Sequence, residues 1–204
     1  MKHAVSIASV IMLALAAFPA SAVAQDKAWY GGISVGYSSP DDTSYRFDNG
    51  TETISLDDGL TARLTLGHDF GAVRADVRVS HYDIDGPSQI GSSTVKEVEL
   101  IYLSATVNGS YDFQVHDKLT PFISIGAGLS GGRGQGTTSR STEVGNRVIV
   151  APAARAGVGF SYTINDTVSI VVDYDYLYTF ASTAQAKVDD FDMHSGNLGL
   201  QFNF

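Results

Sequence analysis

The chain closes on Gly199-Leu200-Gln201-Phe202-Asn203-Phe204, in which Leu200, Phe202 and Phe204 fall on one face of an extended strand and Gln201 and Asn203 on the other. A repeat of two is the side-chain period of a β-strand, so this hexapeptide reads as a strand with one apolar and one polar face. In lipid every backbone N–H and C=O has to be paired within the protein. A spanning sheet must therefore close on itself, with its first and last strands sealed together. The strand that runs to Phe204 is predicted to be the last of such a sheet.

The opposite end carries an export address. Lys2 supplies a short basic region, Val5 to Phe18 an almost uncharged apolar stretch, and Ala22-Val23-Ala24 the small-x-small pattern of a secretory cleavage site. The apolar stretch falls short of the about 20 residues that a spanning helix needs. Residues 1–24 are therefore read as a signal peptide cleaved after Ala24, and 25–204 as one β domain. The chain has no cysteine, which excludes a lipid-anchored N-terminus, a disulfide and a thiolate metal site. Loss of Lys2 with the signal takes the net charge from -9 to about -10. That acidity, with no basic cluster, argues against a nucleic-acid partner.

Alternation recurs along 25–204 in segments long enough to cross a bilayer when tilted, about 9–11 residues each. Eight are found: Ala28 to Ser39, Leu60 to Phe70, Ala72 to Asp83, Val98 to Phe113, Leu119 to Gly131, Val148 to Thr163, Thr167 to Phe180 and Phe191 to Phe204. Short connections fall at Gly71, Gln114 to Lys118 and Ile164 to Asp166. Long ones fall at Pro40 to Gly59, Ile84 to Glu97, Gly132 to Arg147 and Ala181 to Asp190. The pattern predicts an all-β fold: an eight-stranded antiparallel up-and-down transmembrane β-barrel with short periplasmic turns and four long extracellular loops.

Soluble eight-stranded barrels share that count, and what separates the two cases is which face is apolar. Leu64, Leu66 and Phe70 share a face, as do Val73, Val77 and Val79, then Leu103, Ala105, Val107, Tyr111 and Phe113. In the seventh strand Val168, Ile170, Val172, Tyr174, Tyr176, Tyr178 and Phe180 line up. An arginine or lysine on the lipid face at mid-bilayer costs about 2–4 kcal/mol, so charges within strands must point into the lumen. All seven mid-strand charges obey that assignment: Arg63, Arg74, Asp76, Arg78, Arg155, Asp173 and Asp175. Glu97, Glu99, Asp192 and His194 are exceptions placed at extracellular strand ends. Trp29, Tyr111, Phe113, Phe202 and Phe204 then form a periplasmic aromatic girdle, and Tyr37, Tyr178 and Phe180 an extracellular one.

The interior of an eight-stranded barrel is just wide enough for its own side chains. The four arginines and three aspartates should accordingly pair with one another in a closed network. Folding the sixth and seventh strands about Asn165 sets Arg155 opposite Asp175 or, one pair along, Asp173. The same construction brings Arg63 near Arg78, a like-charge pair that needs Asp76 or an aspartate from across the barrel.

Several stretches together carry a family resemblance: AVAQ at 22–25, WYGGISVGY at 29–37, PFISIGAGLSGG at 121–132, APAARAGVGFSY at 151–162 and NLGLQFNF at 197–204. In order and spacing they resemble the OmpA-like or opacity-protein β-barrel family of Gram-negative outer membranes. The resemblance implies an outer-membrane location, and roles as structural surface protein, adhesin, immune target or small porin. It also implies contact with outer-membrane lipid and lipopolysaccharide, with the barrel-assembly machinery through Phe202 and Phe204, and with a host or surface ligand through the loops. The periplasmic peptidoglycan-binding domain of some relatives has no counterpart before Phe204, so that role is not carried over.

Sharper motifs fare less well. Gly126 to Gly131 (GAGLSG) matches a dinucleotide fingerprint by letter, but a Gly/Ser/Thr-rich loop follows where a helix is required. Glycine relieving crowding in a strand is the plainer account. His194 and Ser195 are adjacent and so point to opposite faces, which keeps them from converging as base and nucleophile. His68 and His81 lack a carboxylate and serine on their face. The acidic first loop (Asp41, Asp42, Asp48, Glu52, Asp57, Asp58), with Asp189 and Asp190 in the fourth, has no calcium-loop spacing. Arg133, Arg140 and Arg147 in the third loop are placed to touch lipopolysaccharide phosphates. No catalytic, cofactor or metal residues are assigned. The expected function is a non-enzymatic integral outer-membrane barrel serving envelope integrity or adhesion. Alternatives are a small porin or gated channel and, behind it, a lipid-modifying enzyme.

Overall fold

The computed structural model describes residues 29–47, 50–54, 57–85, 89–90, 93–138, 143–144, 148–181 and 189–204. The signal peptide read at 1–24, and Arg140 and Arg147, lie outside the described residues. In chain order the strands are β1 (Trp29–Pro40), β2 (Thr43–Phe47), β3 (Gly50–Ile54), β4 (Gly59–Asp69), β5 (Val73–Asp85) and β6 (Gln89–Ile90). They continue with β7 (Ser93–Asp112), β8 (Leu119–Thr138), β9 (Glu143–Val144), β10 (Val148–Thr163), β11 (Val168–Thr179) and β12 (Phe191–Asn203).

Eight of these form a closed antiparallel ring in the order β1-β4-β5-β7-β8-β10-β11-β12, and β12 pairs back onto β1. The seam runs from Tyr30↔Asn203 to Pro40↔Met193. It continues one residue further, where the Phe204 amide donates to the Trp29 carbonyl at 2.8 Å. Closure leaves no unpaired edge in the wall, which a bilayer requires.

The predicted eight wall strands are all present, with most ends within two residues. The larger departures are at β7 and β8, which start at Ser93 and end at Thr138 where loops were expected from Ile84 to Glu97 and Gly132 to Arg147. Backbone pairing continues there up to Val95↔Thr138, with a register shift between Lys96 and Val98. A ladder needs only N–H and C=O groups, so the glycine-rich segment GGRGQGTT pairs although its side chains carry no strand signal. At about 3.3 Å per residue these two strands are far longer than a bilayer crossing and raise one side of the wall above the rest. The first long loop contains a hairpin of its own, β2 paired with β3.

Burial sorts the two faces cleanly. Val35, Leu66, Val77, Val107, Ile125, Val158, Tyr174 and Leu198 are exposed on the outer wall, Val107 at 65% and Ile125 at 74%. Arg63, Arg74, Asp76, Arg78, Arg155, Asp173 and Asp175 are all buried, none more than 8% exposed. An ordinary soluble barrel would hide the valines and expose the arginines.

Candidate functional site

The lumen is filled in two layers. In the first, four arginines meet four aspartates, the seven charged residues read from the sequence joined by Asp112 on β7. Asp175 is the hub. Its carboxylate accepts from the Arg63 guanidinium, which reaches across the barrel from β4, and from Arg155 Nη1 at 3.3 Å, and it lies 3.7 Å from Arg78 Nη1. Arg63 also donates to Asp173 at 2.8 Å, and Asn197 Nδ2 bridges the two aspartates at 3.0 and 3.2 Å. Arg78 grips Asp76 through Nε at 2.9 Å and Nη2 at 3.1 Å. Asp76 accepts further bonds from Tyr30 Oη at 3.0 Å and Asn108 Nδ2 at 2.9 Å.

Nearer the periplasmic rim, Arg74 pairs with Asp112 at 2.7–2.8 Å and donates to Gln201 at 3.1 Å. Its guanidinium sits 5.0 Å from the Phe122 ring centre and 5.6 Å from that of Tyr30, both within cation–π range. Asp112 was missed as an inward charge, although its parity is that of Ser104, Thr106, Asn108 and Ser110 and was legible.

The register corrects one expected juxtaposition. Arg155 lies opposite Leu177, and Asp175 opposite Gly157. Asn165 Oδ1 accepts the amides of Thr167 and Val168 at 2.9 Å, so Asn165 opens the turn instead of centring it and the strands slide by a pair. Arg155 therefore reaches Asp175 on the diagonal. Its Nη2 meanwhile donates to Ser80, Tyr82 and Ser104 at 3.0–3.2 Å. Arg63 lies opposite Ser80 and Arg78 opposite Thr65, so the two arginines are diagonal neighbours as expected, with Asp76 and, from across the barrel, Asp175 as their counter-charges. At that turn Gly71 takes φ 100°, the left-handed region in which only glycine is unstrained, and Asp69 Oδ1 holds its amide at 2.7 Å.

Inward glycines make room for the network. A Cβ at Gly157 would stand 2.7 Å from Asp175 Oδ1 and 2.8 Å from Ser124 Oγ, and one at Gly126 would strike Asn108. The latter glycine belongs to the GAGLSG stretch, which here lies in β8 and pairs with β7 and β10. A Gly157→Val protein is expected to lose about 1–3 kcal/mol through overpacking, read as a lower urea midpoint of the folded barrel.

The second layer was not anticipated. Above the charges, toward the extracellular end, Tyr82, Ile84, Tyr102, Ala153, Leu177 and Met193 pack together inside the barrel, with Phe191 against them. Leu177 is 1% and Met193 0% exposed. Tyr102 Oη bonds Thr179 Oγ1 at 2.7 Å and so holds its ring across the bore. The signal lay in parity: Tyr82 and Ile84 continue the inward series of Arg78 and Ser80, and Leu177 that of Asp175.

Of the histidine and serine weighed as a catalytic pair, Ser195 faces inward, 3% exposed and bonded to Ser38 at 2.7 Å, while His194 faces outward beside Tyr174. They do not converge. His68 sits in the periplasmic girdle, edge-on to Trp29 with ring centres 5.0 Å apart and tilted against Phe70 at 4.4 Å.

The model of the outer membrane protein beta-barrel domain family matches residues 10–204. The chain belongs to that family. It is thus an outer-membrane barrel protein, related to the OmpA-like group, and the family sets the bilayer around its apolar wall. Neisserial surface protein A is similar in structure, with a TM-score of 0.56 at 17% identity over 86% of this chain and 97% of that one. The outer membrane protein OprG of Pseudomonas aeruginosa gives 0.51 at 14% identity over 87% and 96%. The N-terminal barrel domain of OprF from the same organism gives 0.50 at 16% over 88% and 100%. Identities this low speak for the fold alone. No curated protein matches by sequence.

With lipid on the outer wall, Val107→Arg on β7 is expected to destabilise this outer-membrane barrel by about 2–4 kcal/mol in a refolding titration in lipid vesicles. An unchanged midpoint would reverse the assignment of faces.

Proposed function

We propose that the protein is a non-enzymatic barrel that serves envelope integrity or surface attachment, with the lumen acting as a stiff internal frame and the extracellular segments making the contacts. The observation that supports this most is the doubly filled lumen, with Asp175 bonded to arginines from opposite walls and an apolar layer above it. Side chains locked in this way hold the strands that present the loops, and recognition on rigid barrels is carried by loops. The β2–β3 hairpin and the raised ends of β7 and β8 are the segments best placed for it. We further assign Phe202 and Phe204, beside the seam with Trp29, as the signal read by the barrel-assembly machinery, after export through a cleaved signal at 1–24.

The test is a deletion strain challenged with detergent and scored for attachment to a surface. Restoration of detergent resistance by a chain whose 43–54 hairpin is replaced by a short Gly-Ser turn, with attachment lost, is expected. Hydrolysis of lipid A by the pure barrel, or discrete conductance steps from it, would overturn the reading.

A further inference from the structure

Three side chains that the sequence placed in the first long loop and in the last strand meet on the outer wall. Asp192 and His194 alternate on the outward face of β12, and the Asp41 amide donates to the Asp192 carbonyl at 3.0 Å, which extends the seam to Asp41. One ligand atom from each of Asp41, Asp192 and His194 lies within 4.8 Å of the others, two carboxylates and an imidazole. Their outer partners are fixed. Tyr174 Oη sits 2.5 Å from His194 Nδ1, leaving Nε2 for a cation, and Tyr176 Oη donates to Asp192 Oδ2 at 2.5 Å. A histidine held at its second nitrogen and a carboxylate held by a donor are the supports that metal ligands require.

A second observation lies directly below, on the same face. Gly196 is flanked in register by Tyr37 of β1 and Tyr174 of β11, and a Cβ there would meet nothing within 4 Å. Beside that slot the next outward row, Val35, Leu198, Val172 and Phe160 paired across β1, β12, β11 and β10, completes a shallow groove of about 610 Å³. It lies on the lipid-facing wall, with the row of Gly196 two residues from His194 along β12. An occupant of such a groove is an acyl chain, and the cluster of Asp41, Asp192 and His194 beside it stands where the headgroup of that lipid would lie. A phosphorylated headgroup is repelled by two carboxylates, and a divalent cation standing between them turns that repulsion into a bridge.

We propose that the outer wall over β11, β12 and β1 binds one phosphorylated lipid, its acyl chain in the groove over Gly196 and its phosphate bridged by a divalent cation on Asp41, Asp192 and His194. The inference rests on the outward face meeting lipid at the outer leaflet. Imidazole with carboxylates suits manganese or zinc, and three protein ligands leave positions open for phosphate oxygens.

The experiment uses the full folded barrel in detergent, its folding checked by heat-sensitive gel migration. Manganese chloride is titrated by electron paramagnetic resonance, and retention of diphosphorylated lipid A is followed by native mass spectrometry. One manganese per barrel is expected, weakened at least tenfold in Asp192→Asn and His194→Ala and about tenfold in Tyr174→Phe. One retained lipid is expected, lost with EDTA. Gly196→Trp, which fills the groove, should lose the lipid and keep the manganese. Manganese binding that the variants leave unchanged overturns the cation site. Lipid retained in EDTA or in Gly196→Trp overturns the bridge or the groove. A band that does not shift on heating would instead count against the barrel reading itself.

Discussion

Asp175→Asn is expected to cost the folded barrel about 3–5 kcal/mol, because it breaks a buried ion network on one side only. The native layer sets Arg63, Arg74, Arg78 and Arg155 against Asp76, Asp112, Asp173 and Asp175. Asparagine keeps the shape and removes the charge that Arg63, Arg78 and Arg155 share. Arg63 retains Asp173 and Arg78 retains Asp76, whereas Arg155 is left with neutral acceptors alone, among them Ser80, Tyr82 and Ser104. A guanidinium that is 3% exposed and cannot lose its proton then lacks a counter-charge. The measurement is the urea midpoint of refolding in vesicles. Adding Arg155→Met to Asp175→Asn should recover part of the loss, since both partners are then gone. A loss below about 1 kcal/mol, or strict additivity of the two changes, would mean that Asp175 is not the hub.

Period-two alternation located all eight wall strands, because lipid outside and charge inside force opposite chemistry onto neighbouring positions. The same logic placed Arg63 and Asp175 in one lumen. It did not give their pairing, because the register depends on turn chemistry: Asn165 capping Thr167 and Val168 moved Arg155 from Asp175 to Leu177. Nor does alternation reveal height along the bore. Leu177 and Asp175 share a face, yet one belongs to the apolar layer and the other to the charged one. The cluster of Asp41, Asp192 and His194 was hidden for a related reason. Asp192 and His194 were legible as same-face neighbours, but Asp41 joins them only through the seam, which links the first and last strands of the wall.

The layering decides how the protein should behave in a planar bilayer. A charged lumen by itself suggests a gate that rearranging arginines could open, and on that view Asp175→Asn would conduct. The structure sets a second barrier in series. Tyr82, Tyr102, Leu177 and Met193 close the bore above the ions, and a hydrated ion crossing an apolar constriction loses its water with nothing to replace it. The native barrel and the Asp175→Asn barrel are therefore both expected to be silent. Leu177→Ala with Met193→Ala, which thins the apolar layer alone, should be silent too, because Arg63, Asp173 and Arg78 still fill the bore below. Discrete steps are expected only when both changes are combined, in protein whose heat-sensitive migration shows that it has folded. Conductance from Asp175→Asn alone, equal to that of the combined protein, would show that the apolar layer yields to ions and would move the protein toward the channel class.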